Sequence, residues 1–430
     1  MTLRTRLLAA SAGFVLAAVA AAGAQTEAPI TQRPGRNLGY QETVKPLPEP
    51  VRHLLYIAEP SLNGNGMLPP GTGGAGLIVL DADHDYRFVK RISFDVAASL
   101  MPGPEVSGIT ASTVTNMVYV AAHGYLNAYN LATDKLVWSF KGEPKPVKPH
   151  FIIGDETGCC ERPWTLPDGK TLLVGSSYNS WWYLIDAKSG KLEGKIQVPD
   201  SPLSHNLAVT PDGKTAFLSS LTDTVSIADV ATRKVTKTIK FTYAVRPITI
   251  NHDGSRVYVN TDDNLGFEIG DPKTGKMIKK VEAPAEMWKD KWRDPMSRFF
   301  GHGGPGHGLG MTPDEKEIWA VDNINNGLLV FDNQGDDNWV YNPVKSFKTT
   351  YSAGWITMTN DGRTAFLGSD IVDVRSHKII GQMKDETGSP LGSEKLLLMA
   401  FRNGHLIETD NQFAVGLPAA VEAAAKQAAR

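Results

Sequence analysis

The sequence predicts an all-β fold, a seven-bladed β-propeller of four-stranded antiparallel blades that is closed by a C-terminal strand. Two observations predict it: a strand–turn–strand pattern recurs along the chain, and an unmatched strand remains at each end of the repeats. A sheet with two apolar faces must stack on its neighbours, and stacking in a ring leaves only short exposed edges.

The repeated unit is an apolar strand, a turn around Asp-Gly or a close variant, and a second apolar strand. In this turn Pro fixes φ and Gly accepts positive φ, which favours a tight reversal. A third strand ending near an acidic residue and a fourth strand follow, with the period-two alternation of β-structure. One copy from Ser107, SGITASTVTNMVYVAA, keeps the strands without the turn. The copies with the turn begin at Glu161, His205, Arg246, His307 and Gly354.

The two ends of the repeat region explain how the ring closes. The first unit opens with RHLLYIAE from Arg52, which resembles a second strand rather than a first. A lone apolar strand, Glu394–Phe401, follows the seventh blade. We expect this C-terminal strand to complete the first blade, because a linear array would leave both strands unexplained.

The repeat resembles the YVTN-type β-propeller repeat, whose signature runs close to V-x-P-D-G-x-x-x-Y-V-x-N. The segments VTPDGKTAFLSSLTDTVSIADVATRKVTKTI and VYVNTDDNLGFEIGDPKTGKMIKKV carry the resemblance, which covers residues 52–400 and departs at a Gly-rich insertion, Asn63–Gly76. It implies the propeller fold. It also implies a periplasmic binding or scaffold protein, a lactonase-like enzyme, or a subunit of a redox enzyme.

The N-terminus predicts export. Residues 1–24 combine Arg4 and Arg6 with an apolar run and a small-x-small end, which is typical of a signal peptide cut before Gln25. An uncleaved anchor is the alternative, but the apolar run is short for a membrane span. We expect a periplasmic or secreted bacterial protein with no membrane span after cleavage. An extended lead-in (25–50), the propeller (51–416) and an Ala-rich tail (417–430) follow.

Charge and motifs exclude several functions. Lys and Arg number 44 against 46 Asp and Glu, a net charge of −2, so no basic excess favours nucleic acid. The sequence contains neither G-x-S-x-G nor GxxxxGK[ST]. It also lacks Cys-x-x-Cys-His, which excludes covalent haem.

One mouth of the axial channel is the predicted functional site. Counting twelve residues back from equivalent second-strand positions lands on Ser107, Glu161, His205, Arg246, His307 and Gly354. We expect the ligand-binding residues to be Glu161, Arg162, Asn206, Arg246 and Trp355. Arginine offers a planar fork of donors for carboxylate, sulfate or phosphate, so the predicted partner is a small anionic molecule. The alternative is a wet channel with solvated polar residues.

The histidines suggest two further roles. His205 and His307 are candidate acid–base catalysts. His150, His205, His302 and His307 could together bind a divalent transition metal such as Zn, Mn or Cu. No HExxH spacing supports a metal, so hydrogen-bonded or ligand-contacting histidines are the alternative, and no cofactor is assigned.

Two adjacent cysteines, Cys159 and Cys160, directly precede Glu161. In an oxidising compartment we expect them to form a vicinal disulfide beside the predicted mouth. The alternatives are a rigid apolar floor that never changes redox state, or two free thiols.

Three functions follow from these features. The first is an exported propeller that binds a small anion in a His/Arg-lined axial pocket. The second is a lactonase- or lyase-type enzyme that uses axial histidines, with or without a metal. The third is a scaffold or accessory subunit that binds a periplasmic protein, such as a redox enzyme.

Overall fold

A computed structural model describes most of the chain from residue 50 onward. The signal peptide and most of the lead-in, as predicted from the sequence, lie outside the described residues. The described ranges are 50–59, 75–94, 106–122, 124–143, 159–177, 179–199, 201–293, 304–351, 353–393 and 395–428.

Seven antiparallel sheets form the seven blades, as predicted. Blade 1 comprises Arg52–Glu59, Gly76–Asp81, Arg87–Ser93, Leu396–Arg402 and His405–Thr409. Blade 2 comprises Val106–Ser112, Met117–Ala122, Tyr125–Asn130 and Leu136–Phe140. Blade 3 comprises Pro163–Thr165, Thr171–Gly175, Trp181–Asp186 and Leu192–Gln197, and blade 4 Leu207–Val209, Thr215–Ser219, Thr224–Asp229 and Lys234–Lys240.

The remaining blades have the same strand order. Blade 5 comprises Val245–Ile250, Val257–Thr261, Gly266–Asp271 and Lys276–Glu282. Blade 6 comprises Gly306–Met311, Glu317–Asp322, Gly327–Asn333 and Trp339–Lys348, and blade 7 Thr357–Met358, Thr364–Leu367, Asp370–Asp373 and Lys378–Gln382. The described helices are a 3-10 turn, Ala285–Met287, and two α-helices, α1 (Lys289–Trp292) and α2 (Pro418–Ala428).

The C-terminal strand closes the ring. Leu396–Arg402 pairs antiparallel with Arg52–Glu59, with Leu397 opposite Tyr56. The strand therefore completes blade 1, as predicted. His405–Thr409 pairs with its other side, so this blade has five strands where the sequence predicted four.

Apolar clusters between neighbouring blades form the core. One cluster holds Leu55 and Ile57 of blade 1 against Phe366 and Ile371 of blade 7, which joins the last blade to the first. Comparable clusters join the other neighbours around the ring. Each blade thus buries both faces, as the stacking argument requires.

Residues 410–417 enter the middle of the ring, which the sequence did not predict. Gln412 Oε1 accepts a hydrogen bond from Ile109 N of blade 2 at 2.7 Å. Gln412 O accepts another from Trp355 Nε1 of blade 7 at 2.8 Å.

The same segment also contacts the inner strands of blades 3, 5 and 6. The Phe413 ring lies 4.7 Å from that of Trp164, Ala414 O accepts from Met311 N at 3.0 Å, and Gly416 N donates to Ile250 O at 3.0 Å. Contacts to five blades place this segment on the axis of the ring.

No helix among the described residues is long and apolar enough to cross a membrane.

Candidate functional site at the front rim

The strand register confirms that the predicted mouth residues are equivalent. Three residues after each of them, the inner strand pairs with the second strand, as in Trp164–Leu173, Ala208–Phe217 and Thr357–Phe366. We call the rim formed by these residues the front rim: Ser107, Glu161, His205, Arg246, His307 and Gly354. The register also adds Lys395 of blade 1, which occupies the position of Arg162 and Trp355 because Tyr56 pairs with Leu397.

Trp355 forms the floor of the front rim, and two cations stack on it. The Arg162 guanidinium carbon lies 4.2 Å from the centroid of the Trp355 ring, and the Lys395 ammonium lies 5.0 Å from it. All three residues are buried, with 3–5% of their surface exposed. They come from blades 3, 7 and 1, so side chains far apart in sequence meet at the axis. Contact with the ring face stabilises both cations.

Glycines in two other blades make room for this arrangement. Gly108 and Gly308 occupy the same register position as Arg162 and Trp355. A Cβ atom at Gly108 would lie 2.9 Å from Arg162 Cα, and one at Gly308 would lie 3.0 Å from Trp355 Cα. The absence of a side chain there lets the two large residues fill the axis.

Glu161 lies between a cation and an imidazole. Its Oε2 atom is 3.6 Å from Arg162 Nη1 and 3.6 Å from His205 Nδ1, too far for hydrogen bonds but close enough for strong electrostatic interaction. Burial lowers the pKa of His205, although the nearby Glu161 opposes the shift. Arg162 and Arg246 lower it further. The fields of both arginines therefore reach this ring, which is neutral at pH 7.

Arg246 forms a bidentate ion pair with Asp262. Its Nε lies 2.6 Å from Asp262 Oδ1, and its Nη2 lies 3.2 Å from Oδ2. The side chains are 20% and 28% exposed, so this pair is more accessible than Arg162. Burial raises the pKa of Asp262 although Arg246 opposes the shift, which shows that desolvation works against the carboxylate.

His307 is almost completely buried on the blade 6 side of the front rim. Its Nδ1 atom lies 2.5 Å from the carbonyl oxygen of Gly354, which can only accept. Nδ1 therefore carries the proton, and the lone pair of the neutral ring is on Nε2.

Three buried neutral side chains belong to the segment that carries His205 or to the loop hydrogen-bonded to that segment. Both side-chain amide atoms of Asn206 and of Asn179, and the hydroxyl of Ser177, lack a hydrogen-bond partner in the part of the chain that the structure describes. Ser204 N donates to Ser177 O at 3.1 Å, which ties this loop to the segment that carries His205 and Asn206. Ser177 has a φ of 66°, a strained value for a residue with a side chain.

The sequence analysis found Asn206 but missed Lys395, Asp262, Ser177 and Asn179. Lys395 could have been found by extending the register to the closing strand. The other three follow second strands, which run opposite to the inner strands and so end at the same rim. That geometry is the signal that could have found them.

The structure pairs the sulfurs of Cys159 and Cys160. Both residues are completely buried in the cluster between blades 2 and 3. Cys160 O accepts from Ser107 Oγ at 2.6 Å, and Cys160 N donates to Ala122 O at 3.0 Å. The cysteines thus hold the start of blade 3 against blade 2, which favours the rigid apolar floor.

The metal hypothesis stays a prediction. His150 and His302 lie outside the described residues. Among the residues that are described, no three or more His, Cys, Asp or Glu side chains are grouped so that they could hold a metal.

No protein-family model matches the chain, and no curated protein is significantly similar to it. Its class is therefore defined by its fold: the protein is a seven-bladed β-propeller with a polar front rim.

Proposed function

We propose that the protein is an exported binding protein that holds a small anionic molecule at the front rim. The observation that carries this proposal is the set of cationic side chains around one mouth: Arg162 and Lys395 on Trp355, with Arg246 beside a neutral His205.

Arg246 is the residue best placed to take the anion. Its guanidinium already holds one carboxylate, that of Asp262, in the two-pronged geometry that a ligand carboxylate, sulfate or phosphate would use. Because the pKa of Asp262 is raised, its carboxylate is poorly stabilised there. A ligand that brings its own negative charge would displace Asp262 from Arg246, and Asp262 could then take up a proton or turn to solvent.

The neutral side chains next to His205 suggest a second feature of the ligand. A buried polar atom without a partner costs about 1–3 kcal/mol, so Asn206, Asn179 and Ser177 favour a ligand that supplies hydroxyl or carbonyl groups. A hydroxy acid or a keto acid carries both an anionic group and such a neutral polar group.

A lactonase- or lyase-type activity is the second candidate, and the neutral His205 beside Glu161 favours it. In lactone hydrolysis, His205 would take a proton from water while the water oxygen bonds to the ring carbonyl. The same proton would then go to the alkoxide that leaves when the ring C–O bond breaks. Arg246 would stabilise the negative charge that develops on the carbonyl oxygen.

Export and membership of the YVTN-type repeat family belong to the same proposal. The basic residues Arg4 and Arg6 followed by an apolar run and a small-x-small end support export. Cell fractionation and N-terminal sequencing of the mature protein test it, and we expect a periplasmic or secreted protein that begins at Gln25. A mature chain that still begins at Met1 would contradict export by cleavage.

Calorimetric titration of the purified protein with sulfate, phosphate, lactate and citrate tests the binding function. We expect Arg246→Ala to weaken binding by about tenfold or more, because charge-assisted hydrogen bonds are lost. Arg363→Ala is the matched control, since Arg363 also lies near an aspartate (Nε–Oδ2 of Asp361, 3.6 Å) but in a blade 7 turn at the other rim. If Arg246→Ala binds every anion as wild type does, or wild type binds none, the proposal fails.

Turnover is tested separately with a panel of five- and six-membered lactones. Hydrolysis by wild type that is lost in His205→Gln, while anion binding persists, would favour the enzyme. Binding without turnover of any substrate in the panel would favour the binding protein.

A further inference from the structure

A cleft of about 470 Å³ lies on blade 6, and we call it the blade 6 cleft. It opens between the third and fourth strands of this blade and the insertion that carries the 3-10 turn, Ala285–Met287, and α1. No front-rim residue is among the described residues that line it. Small-molecule sites have volumes of about 300–1,000 Å³, so the cleft is large enough for one small ligand.

A bulge in the fourth strand of blade 6 forms part of the lining. Leu328 pairs with Phe347 but Val330 pairs with Asn342, so residues 343–346 leave the ladder. The Asn342 side-chain oxygen accepts hydrogen bonds from two backbone N–H groups of this bulge, at 3.0 and 3.2 Å. The bulge therefore has a fixed shape, and the space beside it is part of the fold.

Four side chains give the cleft an apolar, partly aromatic lining that a ligand can reach. Met287, Tyr341 and Phe347 are half-buried, and Pro343 is exposed. Aromatic rings pack well on other rings and on the methionine thioether. The lining therefore favours a ligand with an aromatic body.

Two ammonium groups at the cleft carry a charge that the protein does not pair. Lys291 Nζ donates to Asn325 Oδ1, and Lys348 Nζ donates to Asn325 O. Neither ammonium forms an ion pair with a carboxylate among the residues that the structure describes. Each has three donors and uses one of them in these bonds. Both side chains are exposed, so a ligand can reach the remaining donors.

Lys345, on the same strand as Lys348, shows the contrast. Its Nζ lies 2.6 Å from Glu317 Oε1 and 2.6 Å from Asp332 Oδ1. The charge of Lys345 is thus compensated within the blade, whereas that of Lys348 is left for a group from outside.

The two acidic residues that line the cleft differ in accessibility. Asp322 is 2% exposed. Its Oδ1 accepts from Ile324 N and Asn325 N, both at 2.9 Å, and its Oδ2 accepts from Asn325 Nδ2 at 2.8 Å. Its carboxylate is therefore bound by its own turn. Glu286 is exposed, and its charge would oppose a bound anion.

We propose that the blade 6 cleft binds a small aromatic carboxylate. The carboxylate group bonds to Lys291 and Lys348, and the ring packs against Met287 and Tyr341. Charge-assisted bonds hold one end of the ligand, while apolar contact holds the other. The site is separate from the front rim, so it does not depend on the anion-binding proposal.

Calorimetric titration of the full mature chain with benzoate, phenylacetate and 1-naphthoate tests the proposal. We expect at least one acid to bind wild type, and its uncharged amide to bind about tenfold more weakly, because the charge-assisted bonds are lost. Lys291→Gln and Lys348→Gln should each weaken binding of the acid by about fivefold. Glu286→Gln should strengthen it, because a repelling charge is removed.

Lys240→Gln is the matched control. Lys240 pairs with Thr224 at the end of the fourth strand of blade 4, as Lys348 pairs with Gly327 in blade 6. Its ammonium lies 3.1 Å from Asp223 Oδ2, so this lysine already has a carboxylate partner. The control variant should bind the acid like wild type.

Circular dichroism shows whether the variants are folded. If the double variant Lys291→Gln/Lys348→Gln is not, the single variants and the amide decide the result. The proposal is overturned if none of the three acids binds wild type, if the amide binds as tightly as the acid, or if the lysine variants bind like wild type. Loss of the acid in Arg246→Ala would place it at the front rim and also overturn the proposal. We expect Arg246→Ala to retain the aromatic acid.

Discussion

The two rims of the propeller are built from the same strands but differ in chemistry. At the front rim, Arg162 lies near Glu161, Arg246 pairs with Asp262, and Lys395 lies over the Trp355 ring. At the back rim, the opposite end of the axis, the turns between first and second strands repeat one arrangement: an aspartate accepts hydrogen bonds from backbone N–H groups of its own turn, as Asp168, Asp212 and Asp361 do. The repeat fixes the backbone at both ends. The residue types at a few register positions and one non-repeated segment decide what each rim can bind.

The largest effect is expected from removing Trp355, the ring at the axis that Arg162 and Lys395 contact. Trp355→Ala should lower the free energy of unfolding by about 3–5 kcal/mol, because it leaves a cavity at the axis and removes the ring under Arg162 and Lys395. Chemical denaturation measures the loss. Trp181→Ala is the control, because Trp181 is half-buried in blade 3 and should cost less. Equal losses would show that Trp355 contributes no more to stability than a half-buried tryptophan does.

The second prediction concerns the axial segment, residues 410–417, and its contribution to stability. Gln412→Ala should lower the free energy of unfolding by about 1–3 kcal/mol, because the buried Ile109 N–H loses its acceptor. Gln197→Ala, which removes an exposed hydrogen bond to Ser180, should change it by about 0.5 kcal/mol or less. Urea unfolding of both variants checks this, and similar values for the two would contradict a buried axial contact.

The smallest effect is a pH dependence that belongs to the front rim. Burial lowers the pKa of His205 in the folded protein below its usual value of 6.5, so the folded protein favours the neutral ring. This preference contributes fully to stability when the pH is above 6.5. As pH falls through that value the unfolded chain binds the proton more readily, and stability is lost. Glu161 opposes this loss, while Arg162 and Arg246 increase it.

We expect the free energy of unfolding to fall as the pH is lowered from about 7 to about 5, because the loss begins near the ordinary pKa of histidine. His205→Gln should flatten part of this fall, whereas His405→Gln, at an exposed position, should leave the profile unchanged. A profile for His205→Gln that is parallel to that of wild type would contradict the assignment.

Much of the fold was predictable because it depends on local pattern. Turn residues, strand alternation and the spacing of the repeats predict blades 2–7, and the lone strand at Glu394–Phe401 predicts closure. The same register predicts which residues lie at the front rim. These inferences succeed because every blade repeats the same backbone geometry.

The contacts of the site could not be predicted in the same way. The stacking of Arg162 on Trp355 depends on how far two side chains reach across the axis, and on the absence of side chains at Gly108 and Gly308. Residues 410–417 carry no strand or turn signature, so nothing local predicts that they enter the channel. Both features are set by tertiary contacts.

The path of the C-terminal region has a consequence for biosynthesis. The strand that completes blade 1 and residues 410–417 on the axis both follow blade 7 in the chain. While these residues are still in the ribosome, the emerged chain can form individual blades, but blade 1 lacks the strand that pairs with Arg52–Glu59. The ring therefore closes only after all the other blades have been synthesised.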